Sequence, residues 1–220
     1  MNTVDYSKLL ITIRYRLQGL AQLDARYYTA LRALAFFEDL HGEEKSKSGT
    51  KGFYHQLNIL SFTMTQHANL ANPYNVYTQI LGHDGVEDYQ EKVNVIRSEF
   101  PDDYRRFEIM SKYRDGVRIS DEQYFSEIER DIDASVSKGM DRIHNYSRMA
   151  GVFSVKKQAA YCKEGEDFFL PMLKAARRRF PQQEAVYELM KSMLSVQMDA
   201  TKHLLAALEK NPHHDTDKAK

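Results

Sequence analysis

A chain of 220 residues is long enough to bury one sizeable core and short enough to do so as a single domain. Lysine plus arginine and aspartate plus glutamate both number 31, so no global basic field draws the chain to nucleic acid or an acidic membrane, although a local patch can still hold an anionic ligand. The single cysteine, Cys162, excludes an internal disulfide framework and suits a reducing, cytoplasmic compartment; no signal-type start and no apolar run long enough to span a bilayer occurs.

The dominant period is helical. Leu10, Ile13, Leu17 and Leu20 form a stripe that predicts a helix within residues 1–25, which either packs on the rest of the domain or pairs two subunits as a homodimer. Tyr28, Leu31, Leu34 and Ala35 begin the next helix, in a main domain expected over residues 26–210. His41-Gly42 and the polar EEKSKSGTKG stretch predict a loop up to Gly52, after which His55 opens an apolar helix in FYHQLNIL. Asn72-Pro73 predicts a turn into another helix. Pro101 with Asp102 and Asp103 marks a helix start, and so does Ser120-Asp121-Glu122, with acids placed to suit the helix dipole. Asp-Gly at 115–116 predicts a loop, and Asp141 in GMDRIHN reads, taken alone, as a helix-end residue. Pro181 begins a last helix striped by Val186, Leu189, Met193, Val196, Ala200, Leu204 and Leu208, with Met190, Met193 and Met198 as core packing. Residues 211–220 form a polar tail. Strand signals are weak, so the expected fold class is all-α, a single helical bundle.

One stretch departs from an ordinary buried helix. LGHDGVEDY places His83, Asp84, Glu87 and Asp88 where an apolar face should continue. On an unbroken helix Glu87 lies about 40°, Asp84 about 100° and Asp88 about 140° from His83, all within half the circumference. A solvated acidic face is the plain reading of such a cluster. Val76 and Ile80 precede it at about 20° and 60°, however, so the charges continue a stripe that looks buried and are expected to line a cleft. Three crowded carboxylates there need a cation, and a metal is the simplest one. His and Asp alone supply too few ligands; His55 and Asp141 are the other donors in view, although spacing does not link them.

In that order, His55, then His83-Asp84, then Asp141 resemble the HD phosphohydrolase signature. The narrower resemblance is to the hydrolase domain of RelA/SpoT homologues, including the small stand-alone alarmone hydrolases. HDGVED at 83–88 is similar to that family's HD-x-x-ED core, DRIHN at 141–145 to its A-D-R-[LI]-H-N segment, and KSG at 47–49 to its R-K-S-G loop. The similarity spans roughly residues 30–175 and includes KKQAAYCKEGEDFFLPML. Ser46 stands where the family carries an arginine that helps hold the guanine base, Gln56 where it carries proline, and Met140 where it carries alanine.

The resemblance implies an HD-domain helical bundle with one divalent metal ion, typically manganese (Mn2+), held by His55, His83, Asp84 and Asp141. It implies catalytic roles for Glu87 and Asp88 in orienting water or carrying its proton. Lys47, Ser48, Arg142 and Asn145 would meet the nucleotide, with an ion pair inside the bundle as the plain reading of Arg142. The implied substrate is guanosine 3′,5′-bis(diphosphate) (ppGpp) or its pentaphosphate relative (pppGpp), losing its 3′-pyrophosphate to give GDP or GTP. Two alternatives stay open. One is an HD phosphohydrolase of another nucleotide, such as a deoxynucleoside triphosphate or a dinucleotide cofactor; the other is a non-catalytic nucleotide-binding or antitoxin-like protein. Arg177-Arg178-Arg179 suits a helix C-terminus rather than nucleic acid. His144, about 60° from Asp141 on a helix, suits a hydrogen bond behind a ligand.

Overall fold

The computed structural model describes residues 5–42, 51–114, 116–150 and 152–210. The chain is all-α. Helices α1 (Tyr6–Leu23), α2 (Tyr27–His41), α3 (Tyr54–Thr63) and α4 (Pro73–Gly82) are followed by a short α5 (Gly85–Asp88), then α6 (Val93–Glu99) and α7 (Tyr104–Glu108). After them come α8 (Asp121–Glu129), α9 (Ile132–Met149), α10 (Val155–Glu164), α11 (Leu170–Arg179) and the long α12 (Glu184–Lys210). Between α7 and α8 a two-residue antiparallel pair, β1 (Tyr113–Arg114) with β2 (Val117–Arg118), closes the Asp-Gly turn expected as a loop. Gly116 takes the positive φ of 79° that this turn needs. The expected 211–220 tail and most of the polar loop, 43–50, lie outside the described residues.

Helix α9 is the spine. It packs against α3, α4, α8, α11 and α12, and α4 in turn packs against α2 and α3. The side chain of Asp131 caps α9 by accepting from the backbone N–H groups of Asp133 and Ala134, and Ser120 caps α8 the same way through Gln123. Helix α1 packs on α2 and α3 through Leu9, Leu10, Ile13 and Leu17. The start expected at Pro101 falls three residues later: Pro101–Asp103 make a turn, and the Asp103 carboxylate accepts from Arg106 Nε at 2.9 Å.

Two stripes are set differently from expectation. On α2 the buried face is Tyr27, Ala30, Ala33, Leu34 and Phe37, leaving Tyr28 and Ala35 exposed. On α12 it is Val186, Tyr187, Met190, Leu194, Met198 and Leu205, leaving Val196, Ala200 and Leu204 exposed. Helix α12 is apolar on more than one face, so its period alone does not choose the side. Its neighbours choose it. A Cβ at Gly139 of α9 would lie 2.5 Å from Met190 Sδ, and one at Gly165 would lie 2.9 Å from Met198 Sδ. Two notches on the neighbouring backbone thus receive two methionine sulfurs and set the rotation of α12. Gly165 belongs to a π-helical turn, Gly165–Phe169, that joins α10 to α11 without a break.

The most crowded close approach lies at the end of α4. A Cβ at Gly82 would fall 2.5 Å from the Phe107 ring and 2.6 Å from Phe37, and one at Gly85 2.5 Å from Phe37. Phe37, Phe100 and Phe107 are fully buried and pack on one another, with centroids 5.1–5.8 Å apart, so none can move aside cheaply. Gly82→Ala should therefore cost about 1–3 kcal/mol, read as a fall of roughly 2–10 °C in the thermal midpoint. An unchanged midpoint would show that the rings do not press on this backbone.

Candidate metal centre

The His83-Asp84 pair does not ride on an unbroken helix. α4 ends at Gly82, His83 keeps helical dihedrals (φ −62°, ψ −32°), and Asp84 opens to φ −91°, ψ −12° before α5 begins. His83 is buried, only 2% exposed, Asp84 is half-buried, and Glu87 and Asp88 are exposed. Asp141 also differs from its reading as a helix-end residue: it sits in the middle of α9 and is 5% exposed.

The pieces that spacing could not link meet in space. His55, from the first turn of α3, lies with Nε2 at 3.1 Å from Asp141 Oδ1 and 4.0 Å from Asp84 Oδ2. His83 Nε2 lies 3.1 Å from Asp84 Oδ1 and 3.7 Å from Asp141 Oδ1. One ligand atom each from His55, His83 and Asp84 falls within 4.8 Å of the others, a grouping that could hold a metal ion. Asp141 presents Oδ1 to both imidazoles from the α9 side.

A test of that fit is the bonding of His83. Its Nδ1 lies 2.7 Å from the Ile80 carbonyl, which can only accept, so Nδ1 carries the proton. The buried Nε2 lies 3.1 Å from Asp84 Oδ1, an ion pair while the ring holds both protons; once the second proton leaves, a lone pair faces both carboxylates. A buried polar atom without a partner is costly. Its direction and chemistry suit a cation, and the carbonyl behind it is the support that metal-bound histidines use.

The surrounding charges fit the same reading. Burial works against a charged His83, but Asp84 and then Asp141 outweigh it and raise its pKa to about 9. Burial likewise opposes ionised Asp84, and His83 and His55 pull it down to about 2. Asp141 stays well below the usual carboxylate range despite burial, because Lys138 and the His55 hydrogen bond favour its charge. Lys138, one turn before Asp141, puts Nζ 3.1 Å from Asp141 Oδ2. Burial disfavours its charge too, and Tyr124, Asp141, Glu87 and Asp84 together more than compensate.

A second layer holds the carboxylates. Asn145 Nδ2 donates to Asp141 Oδ1 at 2.8 Å, so the asparagine matched to a nucleotide contact braces a candidate ligand. Gln56, in place of the family's proline, donates through Nε2 to Asp84 Oδ2 at 3.1 Å and to His41 Nε2 at 3.3 Å. His41 then donates from Nδ1 to the Tyr89 hydroxyl at 2.9 Å. His144 Nδ1 lies 2.8 Å from His55 Nδ1, and burial, with His55 beside it, lowers the His144 pKa to about 3. Lys138, Gln56 and His41 were given no site role from the sequence, Gln56 being noted there only as standing where the family carries proline; Lys138 at three residues before Asp141 was the one with a local signal.

The remaining expected site residues divide. Glu87 Oε2 accepts from the Lys112 backbone N–H at 3.1 Å, which ties α5 to the segment before β1. Asp88 is exposed at the end of α5. Arg142 is an internal residue, 6% exposed, paired with Glu164 and held between the Tyr161 and Phe169 rings at 4.2 and 4.1 Å. Lys47 and Ser48 lie outside the described residues.

The raised His83 pKa carries a sign. With a chelator present, the stability contributed by protonated His83 is complete below about pH 6.5 and is lost as pH rises through about 9, up to about 3 kcal/mol. A bound cation has to displace that proton, so saturating Mn2+ should flatten or reverse the fall. Thermal melts from pH 6 to 10 read this, and a chelated protein with no fall, or the same fall in His83→Gln, would remove the assignment. No helix of the described residues is long and apolar enough to cross a membrane. No family model and no curated protein matches the chain.

Proposed function

We propose that this chain is a metal-dependent phosphohydrolase whose centre is His55, His83, Asp84 and Asp141, acting on a phosphorylated nucleotide. The buried His83 Nε2, facing two carboxylates with a second imidazole beside it, is the observation that carries the reading. Two imidazoles with two carboxylates suit a borderline-hard divalent ion, manganese by resemblance. When bound, such an ion supplies a water of lowered pKa and an electrophilic contact for a phosphate oxygen.

The chain's own groups supply the rest. Asn145 and Lys138 hold Asp141 ionised and in place, and Gln56 does the same for Asp84. Glu87, exposed beside the centre and coupled to Lys138, is the group proposed to take or return a proton, with Asp88 next to it. The preferred substrate is guanosine 3′,5′-bis(diphosphate) or its pentaphosphate relative, with pyrophosphate leaving from the 3′ side; this rests on HD-x-x-ED, DRIHN and KSG occurring in order. One observation favours a second reading of substrate. Arg142 is bound internally by Glu164 and two rings, and Ser46 stands where the family's base-holding arginine would be, so the same chemistry on another phosphorylated nucleotide is the alternative.

Purified protein with Mn2+ should release pyrophosphate and guanosine 5′-diphosphate from guanosine 3′,5′-bis(diphosphate), and a chelator should stop it. Asp84→Ala should lose both the cation and turnover. Glu87→Ala should keep the cation while turnover falls about 100- to 10,000-fold, the usual range for losing a general acid–base group. An intact alarmone beside a tightly held cation selects the second reading. Full activity in Asp84→Ala removes the centre.

A further inference from the structure

The two candidate histidine ligands are backed differently. Behind His83 stands a carbonyl, which can only accept and so locks the proton on Nδ1. Behind His55 stands another imidazole: His144 Nδ1 at 2.8 Å from His55 Nδ1, with centroids 4.7 Å apart. Two identical nitrogens at that distance bond only if one carries a proton and the other a lone pair, so the tautomers of the two rings are coupled.

We propose that His144 is a positioning residue for His55, an adaptable partner that keeps the His55 ring fixed while its proton moves between nitrogens. The inference rests on the metal reading of the centre. His55 Nε2 hydrogen-bonds Asp141 Oδ1 at 3.1 Å, which in the neutral ring puts the proton on Nε2 and leaves Nδ1 to accept, with His144 donating. To present a lone pair from Nε2 to a cation, His55 must carry its proton on Nδ1, and His144 must accept. An imidazole can play either part at one atom without moving, which a carbonyl cannot. His144 sits on α9 one turn after Asp141, so a single helix sets both the carboxylate on one side of His55 and the partner on the other.

His144→Phe keeps the ring and removes the nitrogen; His144→Asn restores an amide that can turn either its donor or its acceptor toward His55. Mn2+ affinity, measured by calorimetry against a competing chelator, should weaken about 10- to 100-fold in His144→Phe, the usual scale for losing a partner behind a ligand. The asparagine variant should recover most of that loss, with thermal midpoints close to wild type. Long-range 1H–15N correlation on the wild-type protein gives a second reading. The His55 proton should sit on Nε2 under chelator and on Nδ1 with Zn2+, the diamagnetic probe. Wild-type affinity in His144→Phe overturns the role, as does an asparagine variant as weak as the phenylalanine one, or a His55 proton that stays on Nε2. A wild-type protein that binds neither Mn2+ nor Zn2+ overturns the centre itself, and this role with it.

Discussion

The rings of Phe37 and Phe107 press against the backbone at residues 82 and 85 so closely that no side chain fits at either position. Much of the site follows from that contact. The phenylalanine cluster locks the end of α4 against α2 and α7, and the helix breaks between the two glycines. His83 and Asp84 stand between those glycines, with His83 beside His55 of α3 and Asp141 of α9 and Asp84 next to it. Packing in an apolar cluster thus positions polar groups that touch none of its rings.

The centre's second constraint is electrostatic. Asp84 and Asp141 both remain ionised against the cost of burial, held by two histidines, Lys138, Gln56 and Asn145. Such a cluster stays ionised only while cation and hydrogen-bond donors offset desolvation. Lys138 belongs to the protein and is always there; the proton on His83 is exchangeable. A divalent ion would take over the part of the balance that the proton carries, which links metal affinity, pH and folding stability in one group of side chains.

Helix content, most helix starts and the His83-Asp84 pair were legible in the sequence because each has a local cause: a 3.6-residue period, a capping side chain, or a His-Asp pair in an apolar run. His55 and Asp141 joined them only through the order of a family's motifs. What was not legible has a cause elsewhere in the chain. The angles given to Glu87 and Asp88 assumed a continuous helix, and the helix is interrupted between Gly82 and Gly85, where Phe37, distant in sequence, packs on the backbone. The choice of face on α12 depends on notches at Gly139 and Gly165. Gln56 reaches Asp84, and His144 reaches His55, across separations that carry no periodic signal. Asp141 looked like a helix end because its polar neighbours are inward-facing: Arg142 is buried among aromatic rings rather than in water.

The π-helical turn at Gly165–Phe169 has a consequence for the reading frame of the fold. Residues 164 and 169 would stand about 140° apart on a regular helix, yet Glu164 and Phe169 both meet Arg142. The wider turn behaves as one inserted residue absorbed without breaking the rod. Deleting one residue there would return the rod to a regular helix with Glu164 and Phe169 four positions apart, about 40° from each other. Phe169 would stay on Arg142, and Leu173 and Ala176 would keep their places in the core. At this point on the rod chain length is looser than residue identity, because the wide turn has already absorbed the change.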